Sequence, residues 1–80
     1  MPSPLEKLYK FLKLEIEIGY ENRAIIGGLD KILPWWVKEA RSSGLNEELI
    51  GYVREKLIAY DALALEARPA AIEELLARVQ

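Results

Sequence analysis

Apolar residues recur along most of this chain at the three- and four-residue spacing of an amphipathic helix. The run Leu14 to Ile18 alternates with period two, but it continues a longer helical pattern. Ser3 is placed to cap a first helix, Pro4 suits its first position, and Glu6 completes a Ser-x-x-Glu capping box. This helix is expected over about 4–18, with Gly19 as its stop. Leu5, Leu8, Tyr9, Leu12 and Ile16 form one apolar stripe, and Phe11, Leu14 and Ile18 form a second beside it. Glu6, Lys10, Lys13 and Glu17 share a narrow solvated face. The apolar arc is wider than a surface helix needs. Either the helix is central or a partner covers the surplus.

Ile25, Leu29, Ile32, Leu33, Trp36 and Ala40 follow at helical spacing, widened by Ile26 and Val37. The stripe passes through Pro34 in phase. It predicts one long second helix over about 22–42, capped by Asn22 and kinked near Pro34, where the ring removes a backbone donor. Two short helices broken before Pro34 are the alternative. The third helix is expected over 46–60, with Asn46 as cap and Ile50, Val53, Leu57 and Tyr60 on its inner face. The fourth carries Ile72, Leu75, Leu76 and Val79 and is placed over 65–79. Its start lies either at Ala64-Leu65-Glu66 or at Pro69. Short connections between amphipathic helices predict an all-α fold, a small up-and-down antiparallel four-helix bundle forming one domain over 1–80.

Composition narrows the chemistry. In 80 residues, 51% are hydrophobic and 30% charged, enough for one core and a solvated outside. Eleven Lys and Arg against thirteen Asp and Glu give a net charge of −2, which argues against a generally basic nucleic-acid binder. The chain has no Cys and no His, which removes disulfides, thiolate nucleophiles, common zinc sites and imidazole acid–base catalysis. No apolar run approaches the roughly 20 residues of a membrane span. Met1-Pro2-Ser3-Pro4 is no signal peptide, so a cytoplasmic location without membrane partners is expected. Gly27-Gly28 is not followed by Lys-Ser/Thr and is read as a site of close helix packing. The carboxylate pairs Glu15/Glu17, Glu47/Glu48 and Glu73/Glu74 point about 100° apart on their helices, and capping or solvated surface is expected for them. No serine has a base beside it. No catalytic residue, metal site or cofactor is therefore expected in this chain, which is not an enzyme by itself.

Two features could bind a partner. Trp35 lies about 100° from the core-facing Trp36, flanked by Lys31 and Lys38, with the small residues Ala24 and Gly28 toward the preceding turns. A large aromatic beside small residues forms a notch that another helix could enter. Lys31, Trp35, Lys38 and Arg41 could instead contact nucleic acid by stacking and phosphate neutralisation. The second stripe of the first helix, Phe11, Leu14 and Ile18, is the other candidate patch.

The stretch from Gly19 through Asn22-Arg23-Ala24, Gly27-Gly28-Leu29-Asp30-Lys31 to Trp36 resembles the N-terminal helical domain of RecG, a bacterial ATP-dependent DNA helicase. Tyr60-Asp61-Ala62-Leu63 looks like the turn that precedes the last helix in that family, although Ala64-Leu65 replaces its usual Ser-Pro or Asp-Pro. The resemblance implies a non-catalytic accessory domain of a helicase that remodels branched DNA in repair and recombination. Its partners would be the wedge and motor domains of that parent. Branched DNA would be reached through the parent, and ATP and Mg belong to the parent's motor. None of the family's catalytic motifs falls within these residues. Ala77-Arg78-Val79-Gln80 carries no stop signal, as a boundary inside a longer chain would leave it. A self-associating bundle forming a homodimer and a direct DNA-contacting module are the rival readings.

Overall fold

Four α-helices form where the periodicity places apolar faces. A computed structural model describes residues 3–22 and 27–79, in the order α1 (Pro4–Glu17), α2 (Leu33–Ser42), α3 (Glu47–Tyr60) and α4 (Arg68–Val79). Short 3-10 turns at Leu29–Ile32 and Leu65–Ala67 lead into α2 and α4. No strand occurs among the described residues. The fold is the all-α four-helix bundle that the pattern predicts. Its Cα radius of gyration is 11.7 Å, against about 11.6 Å for a compact domain of this length. Among the described residues, no helix is long and apolar enough to cross a membrane.

The caps behave as their residue types require. The Ser3 hydroxyl accepts from the Glu6 amide at 3.1 Å, and the Asn46 side chain accepts from the Glu48 amide at 2.6 Å. Both α1 and α2 end in a glycine with positive φ. At the end of α1, the Gly19 and Tyr20 amides donate to the Ile16 and Glu15 carbonyls at 3.1 and 2.9 Å. At the end of α2, the Gly44 and Leu45 amides donate to Arg41 and Ala40 at 3.1 and 3.0 Å. These paired bonds satisfy carbonyls that the helix leaves open, and the left-handed turn they need suits glycine.

One core lies between the helices. Leu8 and Leu12 meet Leu29, Ile32, Leu33, Trp36 and Ala40, together with Ile50, Val53, Leu57 and Tyr60 and with Ile72, Leu75 and Val79. The α1 helix packs chiefly on α2 and α4, and α3 closes the other side against the same two. The α1 helix is therefore one wall of the bundle, not its axis, and part of its second stripe stays uncovered.

The second element departs from the single long helix expected over 22–42. Regular α-helix spans only Leu33–Ser42, so Pro34 sits in the first turn, where its missing donor costs nothing. This resembles the two-helix alternative, with a 3-10 turn in place of the first helix. Ile25 and Ile26 lie outside the described residues. Gly27 and Gly28 have φ values of +89° and +102°, so they belong to a loop and not to a helix–helix contact. Asn22 has φ +60°, and its side chain accepts from the Leu29 amide at 2.9 Å, capping the 3-10 turn from seven residues away. The last helix departs in the same way: its first turn, Leu65–Ala67, is 3-10, and α4 begins at Arg68 with Pro69 next.

A buried carboxylate holds this loop. Glu15, expected on the solvated surface, is fully buried. Its Oε2 accepts from the Asn22 amide and from the Tyr60 hydroxyl, both at 2.6 Å. The Asn22 amide group donates to the Asp61 carboxylate at 3.0 Å. Arg68 donates to the carbonyls of Tyr20, Asp61 and Leu63 at 2.7, 3.2 and 3.3 Å, and its guanidinium lies 5.2 Å from the Tyr60 ring centre. Burial first, then the hydrogen bond to Glu15 and its charge, push the Tyr60 phenol well above its ordinary value.

Glu15 Oε1 is buried without a hydrogen-bond partner among the described residues, so removing the Tyr60 hydroxyl leaves the carboxylate with the Asn22 amide as its remaining donor. Tyr60→Phe is expected to cost about 1–3 kcal/mol, read from urea unfolding. Wild-type stability is expected to fall as pH rises past about 10, because the unfolded tyrosine ionises there while the folded one keeps its proton. Tyr60→Phe should flatten part of that alkaline decline. Gly28→Ala should cost more than Gly44→Ala. A Cβ at Gly28 would meet Asn22 Nδ2 at 3.0 Å and Asp30 Oδ1 at 3.1 Å, whereas nothing lies within 4 Å at Gly44.

Candidate interaction surface

The two adjacent tryptophans are divided by their helix into an anchor and an exposed ring. Trp36 is fully buried, and its indole nitrogen donates to the Pro4 carbonyl at 2.9 Å. That bond ties the start of α2 to the start of α1 and fixes the rotation of α2 about its axis. Trp35, one residue earlier, is thereby turned out beside α1 and remains 37% exposed. Leu14 on α1 is 38% exposed.

The structure joins the two patches that the sequence suggests separately. Trp35 and Ile32 form one wall of a groove and Phe11 the other, with Lys7 and Lys10 at its rim. The groove is shallow and open to solvent, with a volume of about 450 Å³. The Lys7 ammonium sits over the Trp35 ring, 4.8 Å from its centre, a favourable cation–aromatic arrangement. Leu14 and the half-buried Ile18 continue the Lys7–Phe11 stripe along α1. Lys7 was legible in principle, since positions 7, 11, 14 and 18 share one helical face. The contribution of Ile32 depends on the 3-10 turn and was not.

Other expected members of the site fall elsewhere. Ala24 lies outside the described residues. Gly28 is buried against Asn22 and Asp30 and does not form a notch with Trp35, because the chain from Gly28 to Ile32 is not α-helical. Lys31 runs along the loop: a Cβ at Gly27 would come within 2.8 Å of its Cγ. Lys38 is exposed on α2. Arg41 pairs with Glu47 at 3.1 Å and lines a different groove, between α2 and α3, with Pro34, Val37, Arg54 and Ile58. The four residues suggested for nucleic-acid contact therefore do not form one continuous stripe.

Among the described residues, no cluster of three or more His, Cys, Asp or Glu is placed to hold a metal ion. The one buried carboxylate among the described residues, Glu15, faces Tyr60 and the loop. What the accessible surface offers is apolar area with two cations, which suits recognition of a partner. Comparison with protein-family models, curated proteins and solved structures finds no match to this chain.

The two tryptophans should respond oppositely to truncation. Trp36→Ala empties a core position and is expected to cost about 3–5 kcal/mol. Trp35→Ala should cost clearly less than Trp36→Ala, because its ring is only partly buried. Thermal and urea unfolding of the two variants checks this.

Proposed function

We propose that this chain is a non-catalytic, cytoplasmic accessory domain of a RecG-like ATP-dependent DNA helicase, docking on or bracing the wedge and motor domains of that parent. The parent would remodel branched DNA in repair and recombination, with ATP and Mg bound in its motor. The observation that supports the reading is how the two resembling stretches meet. The loop after Gly19 and the turn at Tyr60-Asp61 lie about forty residues apart in sequence. They are joined through Glu15 to Tyr60, Asn22 to Asp61 and Arg68 to Tyr20. Among the described residues of the two stretches, Tyr20, Asn22, Tyr60 and Asp61 thus serve one structural unit, as expected of residues that mark a domain type and do no chemistry themselves.

With those residues committed to the fold, binding falls to the groove at Trp35, Phe11, Ile32, Lys7 and Lys10. Direct contact of this domain with DNA is the weaker reading, because Arg41 is engaged by Glu47 and stands away from Trp35. Titration of the chain into the wedge-and-motor portion of a RecG-like helicase tests the proposal. Saturable binding, weakened at least about tenfold by Trp35→Ala, is the expected result. No association, or association indifferent to Trp35, would contradict it.

A further inference from the structure

The chemistry of the α1–α2 groove specifies its occupant more narrowly. Of the five residues that line it, three are apolar, two are lysines and none is acidic, although the chain as a whole carries a net charge of −2. Neither Lys7 nor Lys10 has a carboxylate within ion-pair distance among the described residues. Lys7 is held over the Trp35 ring at 4.8 Å. Its charge is therefore fixed at the groove rim and available to a carboxylate arriving from outside. The walls come from α1, from Ile32 at the end of the 3-10 turn and from Trp35 in the first turn of α2. Neither wall is a strand edge that could pair with the backbone of an extended segment. A helix, which satisfies its own backbone groups, meets that constraint. The stripe from Lys7 to Ile18 runs about 16 Å at the helical rise, enough to hold about three turns of a partner.

We infer that this groove binds an acidic amphipathic helix of a partner protein. Its apolar side chains would fill the space between Phe11 and Trp35, and its carboxylates would pair with Lys7 and Lys10. The inference rests on the docking role proposed above and adds the charge and form of the docked segment. A second copy of this chain fits less well, since a two-fold contact through the groove would bring Lys7 and Lys10 of both copies together. A nucleic acid also fits less well, because Lys7 covers the Trp35 face on which a base would stack.

The test uses the full chain and two designed helical peptides with the same leucine face, one flanked by glutamates and one by lysines. The glutamate peptide should bind saturably, followed by tryptophan fluorescence, at least about tenfold tighter than the lysine peptide. Trp35→Ala should weaken it about tenfold or more, and added salt should weaken it as well. The double variant Lys7→Glu/Lys10→Glu should reverse the preference. Equal binding of both peptides through Trp35 would overturn the inferred charge and leave the docking role standing. No binding of the glutamate peptide at about millimolar concentration would overturn the inference. So would tighter binding of single-stranded oligothymidine, or a concentration-dependent dimer that Trp35→Ala abolishes. The docking role is judged separately, by the titration against the helicase portion.

Discussion

The carboxylate of Glu15 is the constraint on which the rest of this bundle depends. It lies in the last turn of α1, fully buried, and it receives the Tyr60 hydroxyl from the end of α3 and the Asn22 amide from the loop. A buried carboxylate without donors is costly, so the donors must stay where they are. Holding Asn22 sets its side chain over the Leu29 amide, which starts the turn that leads into α2. Arg68 at the start of α4 fastens the other side of the loop through the Tyr20 carbonyl. One polar cluster thereby relates all four helices at one end of the domain.

The opposite end is arranged by Trp36. Its bond to the Pro4 carbonyl sets how α2 lies on α1, and so decides which of its neighbours faces out. The exposed Trp35 ring and the groove beside it follow from that rotation. The inward residue is a matter of stability and the outward one of recognition, although the two differ by only about 100° on the helix. Surface ion pairs such as Arg41–Glu47 and Lys56–Glu74 join neighbouring helices but are exposed, and pairs of that kind contribute little.

Much of the fold could be read from the sequence because helical periodicity and caps are local. The inner faces of α3 and α4, the Ser3 and Asn46 caps and the stop at Gly19 all follow from residues within a turn or two. The stretch from Asn22 to Ile32 could not be read this way. Its apolar residues keep helical spacing, yet the chain turns at Asn22, Gly27 and Gly28 in left-handed conformations. What overrides the local pattern is a long-range interaction: Asn22 is drawn by Glu15 and Asp61, seven and thirty-nine residues away. Glu15 itself looks like a surface residue until Tyr60 is known to sit beside it. The site was legible in the same measure. Trp35, Phe11, Leu14 and Ile18 follow from helical faces, whereas Gly28 was misplaced because its position assumed a continuous helix.

Native-state amide hydrogen exchange at Asn22 and Leu29 measures most directly whether a buried carboxylate organises this loop. If it does, both amides exchange only with global unfolding and are protected to the level of core amides such as that of Leu57. If both exchange at the rate of an open chain while the helices remain protected, the loop is not held by Glu15 and the account fails.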